Sequence, residues 1–313
     1  MDTTGFSTPR LDTRTSQRRR ALVLGGGGSS GNAWLIGVVA GLFDAGLDVT
    51  TADLTIGTSA GSTAAAQFAG ASPAELFAAC LVSPQQGPGP AGSGPFHRPA
   101  RPHNPGVPVA NHLARVTEII ASAADPADMR RRMGANALEL DAASDGSWPI
   151  RWRAIVAARL PRPDWPRRTV LITAVDARSG EPVVFDRNGG VDLVDAVAAS
   201  CASSLPYRIG DSRFIDGGYR RNENADLALG CERVLVLSPF GGRTLHPLSW
   251  GMQLEAQVDE LRSGGSKVET IFPDDDSEHL FGHNAMDLSL RPAAARAGYH
   301  QGGALAEQVR EFW

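Results

Sequence analysis

Asp53-Leu54-Thr55-Ile56-Gly57-Thr58-Ser59-Ala60-Gly61 runs from a short apolar strand into a glycine-bracketed turn, and a small-residue helix continues from Ala60 to Phe68. A strand ending in G-x-S-x-G sets its serine on a tight strand-to-helix turn, where small flanking residues let strained backbone exist. Small residues in the helix let it lie close against a sheet. The same pentapeptide can also be a small-residue turn without chemistry. Its neighbours decide between the two readings.

Upstream, Ala21-Leu22-Val23-Leu24 is an apolar run closed by Gly25-Gly26-Gly27-Gly28-Ser29-Ser30-Gly31. It reads as a buried parallel strand. Residues 32–45 have helical character, with Asn32 as N-cap and Gly46 as stop. A glycine loop closing a strand offers backbone N–H groups to a developing oxyanion. The spacing Gly26, Gly28, Gly31 also fits a dinucleotide loop, which needs an acidic residue about 20 positions on, at the end of the second strand. Asp44 and Asp48 lie before that strand, and the strand ends in Gly57-Thr58-Ser59. The oxyanion reading is the better one. Its expected donors are the N–H groups of Gly26, Gly27, Gly28, Ser29 and Ala60, with Ser59 as nucleophile.

Downstream, Ser72-Pro73-Ala74-Glu75 has the form of a helix start. Of residues 83–108, eight are proline, so this stretch is read as a mobile loop or lid. Helical stretches follow at 109–123 and 126–143, and strand patterns at 169–174 and 182–185, with a turn at Ser179-Gly180. A helix near 191–200 precedes strand patterns at 213–216 and 233–237. From 248 onward the chain reads as mostly helical, with one strand candidate at 268–272. Strands alternating with helices predict an α/β fold: a three-layer sandwich with a mainly parallel central sheet. One domain is expected over 21–313, behind a disordered tail at 1–20.

The 313 residues, 42% apolar and 20% charged, can bury a sizeable core, and a net charge of −4 gives no reason to expect nucleic acid as partner. Cys80, Cys201 and Cys231 are too few and scattered for a disulfide framework or a zinc site; the last two read as small core residues. The apolar segment 33–43 is well short of the roughly 20 residues that a membrane span needs. Arg18-Arg19-Arg20 faintly resembles a twin-arginine export signal, but glycines break the apolar run at once and no A-x-A site follows. A cytoplasmic location is expected.

The serine needs a base. A hydrolase triad would run serine, acid, histidine in chain order, yet His97, His103, His112, His246, His279, His283 and His300 carry no recognisable motif. Phe214-Ile215-Asp216-Gly217-Gly218 is the better candidate. An aspartate at the C-terminal end of a strand sits at the sheet edge where α/β ligands bind, and that edge carries Ser59. A Ser59–Asp216 pair follows, with Gly57, Gly61, Gly217 and Gly218 supporting the two turns. Asp274-Asp275-Asp276 lacks EF-hand spacing and reads as a solvated loop. No metal or cofactor is expected.

Taken in order, these motifs resemble the patatin-like phospholipases over about residues 21 to 240. The resemblance also takes in Ile172-Thr173-Ala174-Val175-Asp176 with Gly180-Glu181-Pro182, the helix end Ala198-Ala199-Ser200-Cys201-Ala202, and Asn222 six residues after Asp216. It implies a patatin-like fold and a Ser–Asp dyad hydrolysing lipid acyl esters, as a phospholipase A, lysophospholipase or esterase. It also implies a peripheral contact with a membrane. Two positions depart from the family pattern: Ser30 stands where the loop usually has arginine or lysine, and Asn224 where proline is usual, a change expected to alter only the following turn. The stretch 83–165 has no counterpart. The alternative reading is a non-catalytic lipid- or acyl-binding protein on a degenerate patatin fold.

Overall fold

A computed structural model describes residues 19–82 and 109–313 and gathers the strand patterns into one eight-stranded sheet with helices on both faces. The expected 83–108 loop and residues 1–18 of the expected tail lie outside the described residues. In chain order the strands are β1 (Arg20–Leu24), β2 (Leu54–Gly57), β3 (Thr169–Asp176), β4 (Pro182–Phe185), β5 (Tyr207–Ile209), β6 (Ser212–Asp216), β7 (Arg233–Leu237) and β8 (Lys267–Ile271). The helices are α1 (Gly28–Asp44), α2 (Ala60–Phe68), α3 (Pro73–Leu81), α4 (Val109–Ser122), α5 (Pro126–Ala142), α6 (Trp148–Ala157), α7 (Leu193–Ser200), α8 (Leu254–Ser263) and α9 (Arg291–Phe312).

The main path of the sheet is β5-β6-β3-β2-β1-β7-β8. β3, β2, β1, β7 and β8 pair in parallel, whereas β4, β5 and β6 join antiparallel. From Ala21 to Leu24 β1 is apolar because both its faces are covered: Leu22 and Leu24 enter the core shared with α1, while Ala21 and Val23 enter the core shared with α8. Leu24 is level with Gly57 on one side and Leu237 on the other, so the loops after β1, β2 and β7 leave the sheet together. The chain winds away from β1 in both directions, toward β2 and toward β7, so the glycine loop lies at a topological switch point.

β6 reaches this region by an unexpected route. Ile172 pairs with both Gly57 and Phe185, and Ala174 with both Val183 and Asp216. A residue has two sheet edges, so β2 and β6 must lie on the same edge of β3, opposite β4. They approach end to end, C-terminus toward C-terminus. The expectation that Asp216 shares a sheet end with Ser59 is met in position. Its reason is corrected, since β6 runs against the parallel strands.

Other boundaries also differ. The first helix starts at Gly28, four residues before Asn32, which lies inside it and caps nothing. α6 and β5 have weak local patterns and were not anticipated. Much of the expected helix after 263 is instead short 3-10 turns between Asp275 and Leu290. α3 starts as read: Ser72 and Glu75 form a reciprocal capping box with Pro73 in the first turn.

α1 and α9 pack backbone to backbone. Gly37 and Gly41 face the carbonyls of Ala295 and Tyr299, and Gly298 and Gly302 face those of Trp34 and Val38, where any Cβ would collide. That close pairing brings the start of α9 to the glycine loop.

Candidate active site

Ser59 is the N-cap of α2 and has φ 52° and ψ −114°, a combination that costs a non-glycine residue backbone strain. The surroundings hold it there. Its N–H donates to Ser200 Oγ at 2.9 Å, and its carbonyl accepts from Ser62 N–H at 3.0 Å and the Cys201 thiol at 3.1 Å. Behind the turn, Gly61 lies on the Leu24 carbonyl so closely that a Cβ has no room. The strand, the elbow and the loop after β1 are therefore packed as one unit.

The Asp216 carboxylate sits at the end of β6, 8% exposed. It accepts from Gly218 N–H at 2.8 Å, and the Ser59 hydroxyl lies close to the same carboxylate. Burial pushes its pKa from 3.8 up to about 6, against the lowering effect of the Gly218 N–H and the Ser59 hydroxyl. Such a carboxyl is mostly ionised at neutral pH yet remains a usable proton acceptor. Gly217 packs on Thr173 of β3 with no space for a Cβ, which fixes the turn. Among the described residues no histidine hydrogen-bonds to Ser59 or Asp216. His246 bonds Thr244 and stacks on Trp250, while His279, His283 and His300 are exposed.

The glycine loop is fixed peptide by peptide. Gly25 N–H donates to Leu237 O, and Gly26 N–H to Asn222 O, each at 3.0 Å. Asn222 Nδ2 returns a bond to the Gly26 carbonyl at 3.3 Å. In a trans peptide the C=O and N–H point oppositely, so holding the Gly26 carbonyl turns the Gly27 N–H away from Asn222. Gly26 is thus committed and leaves the set of expected donors. The N–H groups of Gly27, Gly28, Ser29 and Ala60 have no acceptor among the described residues.

Asn222 is in turn held by Glu223, 1% exposed, whose carboxylate accepts from Asn222 Nδ2 at 2.8 Å and Ser238 Oγ at 2.7 Å. Burial raises the Glu223 pKa. Ser30 is fully buried, with its N–H on Ala285 O at 3.0 Å and its Oγ on the same carbonyl at 3.2 Å. The cation at this end of the loop comes from α9: Arg291 Nη1 donates to Ser29 O at 2.8 Å.

Sequence reading missed several of these residues. Asn224 does more than alter a turn. It is fully buried at φ 54°, which proline cannot adopt, and its amide lies between the elbow and the Asp216 turn. Ser200 lies in the helix end 198–202, whose sequence assigns it no chemistry, yet its Oγ holds the Ser59 N–H. Cys201 is more than core filling: its thiol bonds the Ser59 carbonyl, and burial pushes its pKa up to about 11, which keeps it protonated. Arg291 is 262 positions from Ser29 and carries no local signal. In the Asp274 stretch, Asp274 caps a 3-10 turn by accepting from Ser277 N–H at 3.1 Å.

No family model matches the chain, and no curated protein matches it in sequence. Among solved structures, VipD from Legionella pneumophila is similar in fold at 14% identity and a TM-score of 0.44, over 93% of this chain and 67% of that one. Likeness at that level assigns no activity. No helix among the described residues is long and apolar enough to cross a membrane.

Proposed function

We propose that the chain is a serine hydrolase of lipid acyl esters, with Ser59 as nucleophile and Asp216 as its base. The observation that carries this reading is the strained Ser59 elbow set beside the buried Asp216 carboxylate, whose pKa burial raises to about 6 while the Ser59 hydroxyl lowers it. Asp216 takes the Ser59 proton as Oγ attacks the ester carbonyl, and the negative charge moves to the carbonyl oxygen. N–H groups of Gly27, Gly28, Ser29 and Ala60 receive that oxyanion. Collapse expels the alcohol, which takes the proton from Asp216. Asp216 then deprotonates water, which attacks the acyl-serine; collapse breaks the bond to Oγ, Ser59 takes the proton back from Asp216, and the acid is released.

The substrate class rests on the motif resemblance to patatin-like phospholipases: a phospholipid, a lysophospholipid, or a simpler carboxylic or thioester. Such a substrate would bring the chain to a membrane surface from the cytoplasm. A fluorophosphonate probe tests the nucleophile. Labelling of the native chain and its loss in Ser59→Ala is the expected result; labelling that survives the substitution overturns the assignment. Hydrolysis of p-nitrophenyl butyrate no faster than by Ser59→Ala would favour the non-catalytic acyl-binding alternative.

A further inference from the structure

Arg291 opens α9 and reaches across to the opposite end of the sequence. Its Nη1 donates to the Ser29 carbonyl at 2.8 Å and the Ser29 hydroxyl at 3.3 Å, while Nη2 donates to Asn32 Oδ1 at 3.1 Å. Nη2 also lies 3.4 Å from the Cys80 sulfur. Asn32 is itself buried, and its Nδ2 donates to the Ala60 carbonyl at 3.3 Å and to Gln67 Oε1 at 3.0 Å. One guanidinium fork therefore connects Ser29, on the glycine loop, through Asn32 to Ala60, the residue after the elbow serine. These are the two places that present unpaired N–H groups.

We propose that Arg291 is the positioning residue of the oxyanion site, holding its loop half and its elbow half in register. The proposal rests on the serine-hydrolase reading above. A planar fork with fixed donors suits this task better than a flexible ammonium, because it can hold two acceptors on separate segments at once. The Ser29–Ser30 peptide is consequently pinned at both ends, with its oxygen on Arg291 and its N–H on Ala285 O at 3.0 Å. Electrostatics argue the same way. Arg291 lies at the N-terminal ends of both α1 and α9, where the helix dipoles disfavour a cation. The same positive potential favours an anion forming at the loop. The cation also stands at the end of the loop where the sequence has Ser30 and no basic side chain.

The experiment compares native protein, Ser59→Ala, Arg291→Ala and Arg291→Lys on p-nitrophenyl butyrate, with folding checked by circular dichroism. Arg291→Ala is expected to lower kcat by roughly 10-fold or more while KM changes less than about threefold, the pattern of an interaction made in the transition state. Added methylguanidinium should restore part of that kcat, and Arg291→Lys should fall between alanine and native. A merely structural contact would give neither the rescue nor the kcat-specific loss. A folded Arg291→Ala with native kcat overturns the proposal, as does equal impairment of both variants without rescue. If Arg291→Ala does not fold, Arg291→Lys decides, and native kcat in that variant overturns the proposal. Native protein no faster than Ser59→Ala sinks the hydrolase reading itself, an outcome distinct from loss of the Arg291 role alone.

Discussion

Asn224 donates from Nδ2 to the Thr58 hydroxyl at 3.0 Å, with its backbone held left-handed at φ 54° and its side chain shut off from solvent. The same amide lies 3.3 Å from the Gly217 carbonyl and 2.6 Å from that of Arg221, and its Oδ1 accepts from Arg220 at 2.6 Å. One side chain thus ties the residue before Ser59 to the residue after Asp216. The two motifs belong to different strands, so this tie helps set the distance between Ser59 and Asp216.

Asn224→Ala removes that tie: the buried Gly217 carbonyl and Thr58 hydroxyl each lose a bond, although Thr58 keeps Thr173 and Arg220 keeps Asp226. Each such loss costs about 1–3 kcal/mol. Chemical denaturation should show a stability loss of at least about 2 kcal/mol, and ester turnover should fall by roughly 10-fold or more. Asn224→Asp should be worse, because an acceptor would then face the Gly217 and Arg221 carbonyls. Native stability in Asn224→Asp would refute the assigned amide orientation.

The buried carboxyl of Asp216, as the proposed base, should set the pH profile. In that role it must be ionised, so kcat/KM should rise with pH through about 6 and level off above it. Asp216→Asn should lower turnover by about 10²–10⁴-fold and remove that rise. A rise centred near pH 4 would show that burial does not raise this group.

The same shift has a stability counterpart of opposite benefit. The folded-state pKa of about 6 exceeds the reference value of 3.8, so the folded chain holds this proton more tightly than the unfolded chain does. The associated stabilisation is complete below about pH 4 and is lost as pH rises through about 6. It amounts to roughly 3 kcal/mol, at 1.36 kcal/mol per pKa unit. Asp216→Asn carries no titrating group at this position, so its advantage over the native chain should grow by about 2 kcal/mol between pH 4.5 and 7.5, the remainder being lost already below pH 4.5. Urea titrations at the two pH values measure the difference, in which the other carboxylates cancel.

The parts of the fold legible in the sequence are the local ones. β1, β2 and β7 are apolar runs because both faces are buried, and the elbow and glycine loop announce themselves by spacing. The direction of β6 was not legible, since five residues do not record which way their neighbours run. The bonds of the loop were hidden for the same reason. Gly26 N–H is engaged by Asn222, and Ser29 O by Arg291, from 196 and 262 positions away. Asn32 looked like a cap because asparagine favours that place, yet tertiary bonds to Arg291 and Ala60 claim its side chain inside the helix.

Ser200 offers the most direct test of strain at the elbow. Its Oγ, fully buried at the end of α7, is the acceptor for the Ser59 N–H at 2.9 Å. A residue at φ 52° and ψ −114° persists only where its surroundings over-determine it, and this bond is one of the restraints. Ser200→Ala leaves the N–H without an acceptor and should cost about 1–3 kcal/mol of stability. The freed elbow can then relax toward ordinary backbone angles, moving the Ser59 hydroxyl away from Asp216. Fluorophosphonate labelling should consequently slow by about 10-fold or more, well beyond what the stability loss alone produces in a chain that remains folded. Ser200→Thr keeps the hydroxyl and should label faster than Ser200→Ala. Equal labelling rates for the native chain and Ser200→Ala would mean that the elbow holds its geometry without this bond.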